Sequence, residues 1–243
     1  MKHFSYLSLI AVAALAGCVV PQTPPLPDQV IELSPGIRLN RTRNELIIRA
    51  QVAARIGWME QVVCKAGTRE HESLLVVDVA PRLIHAALLA LGCTPGSPGS
   101  WRESLTAEGE SNGFALILPT GSRLDILVRF TRAGEQVEVP ICEWLRSETP
   151  AGESMGFPRD KFVFAGSHVR PNPKSLGPGE HYVADYTGSV IGLVTFGDEV
   201  IGFEEVIPDR VEFTPALWEA DTDRIPHEGS EVELIIRPLA RIE

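Results

Sequence analysis

Cysteine is scarce in this sequence, with 4 residues in a chain of 243. Cys18, Cys64, Cys93 and Cys142 lie far apart, and no two of them form a C-x-x-C pair. Zinc ribbons, thioredoxin-like dithiols and cysteine-ligated iron–sulfur clusters need thiolates at short spacings, so the sequence excludes all three. In an oxidising compartment the three cysteines after Cys18 could form one disulfide and leave one thiol, and the spacing leaves the pairing open.

Basic residues are also few, because 22 Lys and Arg stand against 32 Asp and Glu, for a formal net charge of -10. A chain this acidic is repelled by phosphate backbones, which argues against nucleic acid as a partner. Long apolar runs are missing after the N-terminus, so the remainder of the chain folds in water. The hydrophobic content of 44% is that of a globular domain with a core.

The N-terminus has the features of a bacterial lipoprotein signal. Lys2 precedes an apolar stretch, residues 4–15, which has the length of a secretory signal and is too short to span a bilayer. The stretch ends in Leu15, Ala16, Gly17 and Cys18, which match the lipobox whose cysteine is lipidated through its sulfur. The alternative is a buried cysteine that follows an uncleaved anchor.

We therefore predict a signal peptide at residues 1–17, a lipidated Cys18 with a Pro-rich tether at 18–34, and a single domain at 35–243. Acyl chains that include palmitate would attach the protein to a membrane of the bacterial cell envelope, facing the periplasm. Val19 follows the cysteine where Asp would favour inner-membrane retention, so the outer membrane is the preferred location.

The apolar segments are mostly short, β-branched and bounded by Gly or Pro, which predicts an α+β domain of mostly antiparallel sheet. One helix is predicted at residues 82–91, with Gly92 as its left-handed cap. The helix is apolar nearly all round, so we expect it to be buried. The predicted strands are residues 45–52, 58–64, 73–79, 114–118, 124–131, 136–141, 161–168, three segments within 182–206, and 232–237.

Three long segments are rich in Gly, Pro and Ser: residues 93–113, 146–160 and 169–180. Irregular connections of this length are either functional or mobile. Trp101, Met155 and Phe157 are apolar residues within them, and they would form a partner-binding surface if they are exposed together.

The pattern G-x-S-x-G occurs twice, around Ser111 and Ser154. A nucleophile elbow needs a strand before the serine and a helix after it. A predicted strand follows Ser111, and Gly156 and Pro158 oppose a helix after Ser154. Loop composition therefore explains both patterns, and a hydrolase would need a site that the sequence does not identify.

A second set of residues could bind a metal. Cys64, His71 and His85 would supply a thiolate and two imidazoles, which are competent ligands for zinc or copper, and Glu70 and Glu72 flank His71. The structural interpretation is that His85 is a core histidine bonded to a backbone carbonyl. In that interpretation Glu70, His71 and Glu72 organise the turn after Gly67.

Several blocks of the sequence resemble the YdjY-domain family of bacterial envelope proteins. The matching blocks are residues 70–75, 84–92, 162–167 and 182–185, with Gly188 and Ile191 following. The resemblance extends from about residue 35 to residue 238. It implies an envelope protein without an established biochemical activity, and it assigns no role to Glu70, His71, Glu72 or His85.

These observations together favour a lipid-anchored, non-catalytic binding or assembly module of the cell envelope, with an envelope protein as its partner. No cofactor is predicted. The alternatives are a metal-binding or redox protein that uses His71 and His85, with Cys64 as a further ligand, and an envelope hydrolase.

Overall fold

The computed structural model describes residues 28–105, 107, 109, 111–148, 154–210 and 217–240. Strands dominate this part of the chain and most of them pair antiparallel, which confirms the predicted α+β class. The strands are β1 (Val30–Ser34), β2 (Ile37–Asn40), β3 (Glu45–Val52), β4 (Gln61–Lys65), β5 (Ser73–Val77), β6 (Ser100–Leu105), β7 (Ser111–Ile117), β8 (Arg123–Arg132), β9 (Glu135–Pro140), β10 (Leu145–Glu148), β11 (Ser154–Gly156), β12 (Phe162–Val163), β13 (Val169–Pro171), β14 (Glu180–Tyr182), β15 (Ser189–Gly192), β16 (Gly202–Phe203), β17 (Glu219–Ala220) and β18 (Glu231–Pro238).

Two α-helices are described, α1 (Pro81–Ala90) and α2 (Val183–Thr187). Neither of them is long and apolar enough to cross a membrane. Single 3-10 turns occupy Glu70–Glu72, Ile141–Trp144 and Lys174–Leu176.

The main sheet has the order β15-β4-β5-β3-β18-β8-β12-β16, and β1, β2 and β9 pair at its sides. Within it β4 and β5 are parallel, and the other paired strands are antiparallel. A bridge between Ile191 and Ile201 joins β15 to the segment before β16, so that the sheet nearly closes into a barrel. The core therefore lies on the concave side of one curved sheet.

Strand β18 shows how the alternating pattern builds this core. Leu234 and Ile236 point into the main hydrophobic cluster, whereas Ile235 packs with Ile47 and Leu127 in a small cluster on the other face. Successive side chains of a strand point to opposite faces, so a central strand that is covered on both sides reads as a continuous apolar run. This explains the sequence Val-Glu-Leu-Ile-Ile near the C-terminus.

Helix α1 lies within one residue of its predicted position, and Gly92 has the left-handed φ of +83° expected of a cap. Only one face of α1 is buried, through Pro81, Ile84, Ala87 and Leu88. Leu83 and Leu89 are 37% and 47% exposed, so the helix is less buried than its composition predicts. A single sheet covers it, and the opposite face is left to solvent.

The region 182–206 departs from the predicted three-strand pattern. Strand β14 ends at Tyr182, and α2 follows directly before β15 begins at Ser189. Gly188 ends α2 with a φ of +81°. The β-branched composition of this stretch favours strands, and contacts from α1 override that preference.

Two other regions contain strands that composition alone does not indicate. The last residues of the predicted tether form β1, which pairs with β2. Each of the three predicted loops contributes strands to a small sheet: β6 pairs with β7, β10 pairs with β11 and β17, and β13 pairs with β14. Part of the Gly-, Pro- and Ser-rich sequence therefore forms strands.

Candidate functional site

Three segments that are distant in sequence meet at one small cleft. Helix α1 supplies Arg82 and His85, the connection from β12 to β13 supplies residues 166–168, and β14 supplies Tyr182. The cleft has a volume of about 360 Å³, in the range of small-molecule sites. We call it the His85 cleft, and its lining is completed by Pro95, Gly96 and Val169.

The imidazole of His85 is the central polar group of the cleft. Its Nδ1 lies 3.1 Å from the carbonyl oxygen of Gly166 and 3.0 Å from the hydroxyl oxygen of Tyr182. That hydroxyl donates its own proton to the Gly166 carbonyl over 2.8 Å. The Gly166 carbonyl oxygen and the Tyr182 hydroxyl oxygen can both accept a hydrogen bond from Nδ1. Both contacts of Nδ1 are therefore satisfied when Nδ1 carries the proton of the imidazole.

This assignment leaves the lone pair of His85 on Nε2. Nε2 forms no hydrogen bond within the described part of the chain, and it is not among the buried polar atoms that lack a partner. Burial lowers the pKa of His85, which favours a neutral imidazole at pH 7. His85 therefore presents an accessible hydrogen-bond acceptor.

Aromatic neighbours fix the plane of the His85 ring. The ring of Phe164 meets it edge-on at a centroid distance of 4.8 Å, and the ring of Tyr182 does so at 5.5 Å. Burial raises the pKa of the Tyr182 hydroxyl, so this hydroxyl stays protonated as a donor. The orientation of Nε2 is consequently set before any ligand binds.

Gly166 is required at this position by both conformation and space. Its φ is +91°, and a Cβ placed on it would lie 3.0 Å from Cβ of Pro95 and 3.5 Å from Cε1 of His85. The Gly166 amide donates to Val200 over 2.9 Å, which fixes the segment against the sheet. The carbonyl that binds His85 is therefore held from both sides.

Ser167 follows in a left-handed conformation that is uncommon for serine, with a φ of +53°. Its amide donates to the carbonyl of Glu199, and its hydroxyl accepts the amide proton of Ala184 in α2. Backbone in this conformation persists where its surroundings fix it, and such residues concentrate at functional sites.

Asp185 joins the two helices at the rim of the cleft. Its carboxylate accepts the backbone amide of Arg82 over 2.9 Å and forms an ion pair with Nη1 of the same residue. The first turn of α1 has no side-chain cap of its own, so Asp185 satisfies one of its free amides from α2. Arg82 remains largely exposed, and its Nε and Nη2 bond to no other described residue.

The described residues around His85 do not form a catalytic triad. Within the described residues no hydroxyl or thiol is hydrogen-bonded to Nε2 of His85, and no carboxylate is bonded to its Nδ1. A nucleophile with its base and an orienting acid is the usual pattern of a catalytic triad. The cleft instead offers one acceptor, one cation and an apolar wall.

The predicted turn-forming role of the Glu70–Glu72 segment is confirmed. A carboxylate oxygen of Glu70 accepts the Gly67 amide, and that bond lowers the pKa of Glu70. The side chain of His71 is 80% exposed and lies 3.6 Å from Glu72. Glu72 also lies beside Glu60, whose pKa is raised by burial and then by this neighbour.

The candidate metal ligands are not brought together. Cys64 is buried in β4, His71 is exposed, and His85 is bonded to Gly166 and Tyr182 in the cleft. Among the described residues no group of three or more His, Cys, Asp and Glu side chains could hold a metal ion. The predicted bond of His85 to a backbone carbonyl is confirmed, but the prediction that His85 is a core residue is wrong, because its side chain is only partly buried.

The three described cysteines are unpaired, so none of the predicted disulfide pairings forms in this structure. Burial raises the pKa of the thiols of Cys64, Cys93 and Cys142, to about 11 for Cys93. Thiols of this kind react slowly because the thiolate is the nucleophile. Cys18 lies outside the described residues.

The predicted partner surface of Trp101, Met155 and Phe157 is not formed as a unit. Phe157 is 5% exposed, because it stacks on Phe162 and packs against Trp218. Met155 is 47% exposed on β11. Trp101 is partly exposed on β6, where its indole N–H donates to Asp209.

Neither serine pattern has the geometry of a nucleophile elbow. Ser111 begins β7 and Ser154 begins β11, so a strand follows each serine where the elbow requires a helix.

Tyr182, Gly166, Ser167 and Arg82 are cleft residues that the sequence does not single out. The available signal is that His85, the Gly166-Ser167 pair and Tyr182 fall in three of the blocks that carry the family resemblance. Their convergence depends on a contact between residues 81 positions apart, which no local pattern contains.

The fold and the cleft define a class of mostly antiparallel β-protein, with a nearly closed sheet and a small cleft beside its longer helix. The model of the YdjY domain matches residues 37–237, from the start of β2 into β18. The chain belongs to the YdjY-domain family. Comparison with curated proteins gives no match, and comparison with solved structures gives none either.

Proposed function

We propose that this protein is a lipid-anchored, non-catalytic binding module of the bacterial cell envelope. The lipobox at Cys18 and the Pro-rich residues after it support the anchor. The net charge of -10 supports attachment through acyl chains, since an acidic surface is repelled by anionic lipids. Membership of the YdjY-domain family is consistent with both.

The observation that carries the binding role is the uncommitted Nε2 of His85. Its ring is fixed by Phe164 and Tyr182, its Nδ1 is bonded, its Nε2 bonds to no described residue, and His85 lines a cleft of about 360 Å³. A pre-oriented acceptor in a preformed cleft can bind a ligand at low entropic cost.

A second surface suits assembly with an envelope protein. Leu105, Leu116 and Ile117 of the β6–β7 hairpin are 58%, 50% and 63% exposed, and Leu118 directly after it is 57% exposed. This hairpin pairs with no other described strand. Exposed apolar side chains on such a hairpin are candidates for contact with a protein partner.

Photo-crosslinking in the native envelope tests the binding role. A benzophenone amino acid replaces Val169, which lies at the cleft and is 62% exposed, and a matched variant carries it at Ile56, which is 70% exposed outside the cleft. We expect an adduct at residue 169 that is lost in the His85→Ala variant. We also expect the captured molecule to be chemically unmodified. An adduct unaffected by His85→Ala, or a chemically altered group, would contradict the proposal.

The anchor is tested separately by radiolabelled palmitate. We expect the full chain to incorporate label and to fractionate with membranes, and Cys18→Ala to lose both properties. Cys142→Ala is the matched control because Cys142 is a partly exposed thiol of the folded domain. Equal labelling of the Cys18→Ala variant would refute the anchor.

A further inference from the structure

We infer that the His85 cleft recognises a ligand that carries a carboxylate next to an N–H donor, as the C-terminus of a peptide or an N-acylated amino acid does. This inference rests on the proposed binding function and names the chemical class of its ligand. Three features of the cleft lead to it: the acceptor on His85, the free donors on Arg82, and the spacing between the two residues.

The first feature selects a donor on the ligand. His85 is fixed as an acceptor at Nε2 because Nδ1 is committed to Gly166 and Tyr182. An ionised carboxylate oxygen has no proton to give to this atom, whereas an amide N–H has one. The group that meets His85 is therefore a donor.

The second feature selects a carboxylate. Asp185 engages the backbone amide and Nη1 of Arg82, which leaves Nε and Nη2 without a bond to any described residue. These two donors form one edge of a planar guanidinium, and a carboxylate matches such an edge with two parallel hydrogen bonds. Asp185 also holds Arg82 at the cleft before a ligand arrives.

Three backbone amides of the cleft are not available to an anion. The amides of Gly96, Gly166 and Ser167 all donate to backbone carbonyls elsewhere, so none of these three can contribute to an anion nest. Arg82 is the only Lys or Arg among the described residues that line the cleft. One arginine edge suits a carboxylate better than a dianionic phosphate.

The third feature is the spacing. Arg82 and His85 are three residues apart on α1, so they lie on the same face with Cβ atoms about 5–6 Å apart. In an N-acylated amino acid a single carbon separates the amide nitrogen from the carboxylate. The two groups of such a ligand can thus meet His85 and Arg82 together, while Pro95, Val169 and the Tyr182 ring cover its apolar part.

Nitrogen NMR of the full-length protein in detergent, with ¹⁵N-labelled histidine, tests this inference. The probes are N-acetylglycine, its methyl ester and N-acetyl-N-methylglycine, which respectively keep both groups, remove the charge and remove the donor. We expect N-acetylglycine to shift the Nε2 resonance of His85 saturably. The other two probes should bind at least 10-fold more weakly.

Variants provide an independent comparison. Arg82→Gln should weaken N-acetylglycine at least 10-fold and leave the methyl ester unchanged, whereas Arg102→Gln, an exposed arginine of β6, should change neither. Comparisons among the three probes on the unmodified protein do not depend on how the variants fold.

Equal binding of all three probes would overturn the ligand class and leave the cleft as a binding site. A shift of His85 by inorganic phosphate at the concentration that saturates with N-acetylglycine would also overturn it. Failure of every probe to move His85 refutes the inference, and the crosslink from residue 169 then decides separately whether the cleft binds anything.

Discussion

The hydroxyl of Tyr182 and Nδ1 of His85 lie 3.0 Å apart, and both groups converge on the carbonyl of Gly166. One carbonyl thereby orients a histidine from α1 and a tyrosine from β14. This triangle connects the fold to the proposed function, because it determines which nitrogen of His85 faces the cleft.

Removal of the tyrosine hydroxyl should loosen the triangle without breaking it. We expect Tyr182→Phe to lower the free energy of unfolding by about 1 kcal/mol, since one hydrogen bond is lost and Nδ1 keeps the Gly166 carbonyl. Chemical denaturation measures this loss. Tyr186→Phe is the control, because Tyr186 is 69% exposed, and a loss of equal size in both variants would count against the triangle.

Gly166→Ala should destabilise the domain by more than the backbone cost alone. A residue with a Cβ pays about 1–2 kcal/mol for the left-handed conformation, and here the new atom also lies 3.0 Å from Pro95. Gly229→Ala is the matched control, since Gly229 has a φ of +79° and open space around it. Equal melting temperatures for the two variants would show that close packing at Gly166 contributes nothing.

Glu199 should make the protein less stable as the pH rises. It is 2% exposed, and burial raises its pKa to about 7, although the amides of Phe196 and Gly197 donate to its carboxylate. Because the pKa of Glu199 is raised in the folded state, its contribution to the free energy of unfolding is fully present below the unfolded pKa of 4.5. That contribution is lost as the pH rises through 7. The loss from this group is about 3 kcal/mol.

Urea denaturation between pH 5 and pH 8 measures this effect. Glu199→Gln keeps an oxygen for the two amides and cannot ionise, so it should remove most of the pH dependence and be more stable than the unmodified protein at pH 8. Glu205→Gln, at an exposed acid, should leave the profile unchanged. A profile that Glu199→Gln does not flatten would refute the role assigned to this carboxyl group.

Glu45 should contribute more to stability than the exposed acids of the same sheet. It is 1% exposed and accepts hydrogen bonds of 2.9 Å and 2.6 Å from Arg237. Glu45→Gln leaves Arg237 partly buried with one charge partner fewer, and we expect a loss of about 2–3 kcal/mol. Glu233→Gln, 30% exposed, should cost less than about 1 kcal/mol. Denaturation curves that rank the two in the opposite order would contradict this account.

Local sequence patterns predict much of the sheet and the longer helix. Strand β3 begins and ends at the predicted residues, and α1 differs by one residue at each end. The apolar pattern agrees with the tertiary structure in both segments, and Pro81 and Gly92 mark the ends of α1. Helix α2 has five residues and was missed, because it depends on the contact of Asp185 with Arg82.

The cleft could be predicted only in part. The sequence predicts that His85 bonds to a backbone carbonyl, but it does not predict which one. The partner is Gly166, and its approach to His85 depends on the closure of the sheet. Phe157 would belong to a partner surface only if it is exposed, and Phe162, Phe203 and Trp218 enclose it. Phe203 and Trp218 are distant in sequence from Phe157, and composition contains no signal for their meeting.

The protonation of His85 is the most direct test of the central claim, that a neutral imidazole presents Nε2 as an acceptor to the cleft. ¹⁵N chemical shifts of His85, recorded from pH 5 to pH 8, report which nitrogen carries the proton. The account predicts a protonated Nδ1 and an unprotonated Nε2 at pH 7, with charging only at a lower pH than for an ordinary imidazole because burial lowers the pKa of His85. A proton on Nε2 at pH 7 would contradict it.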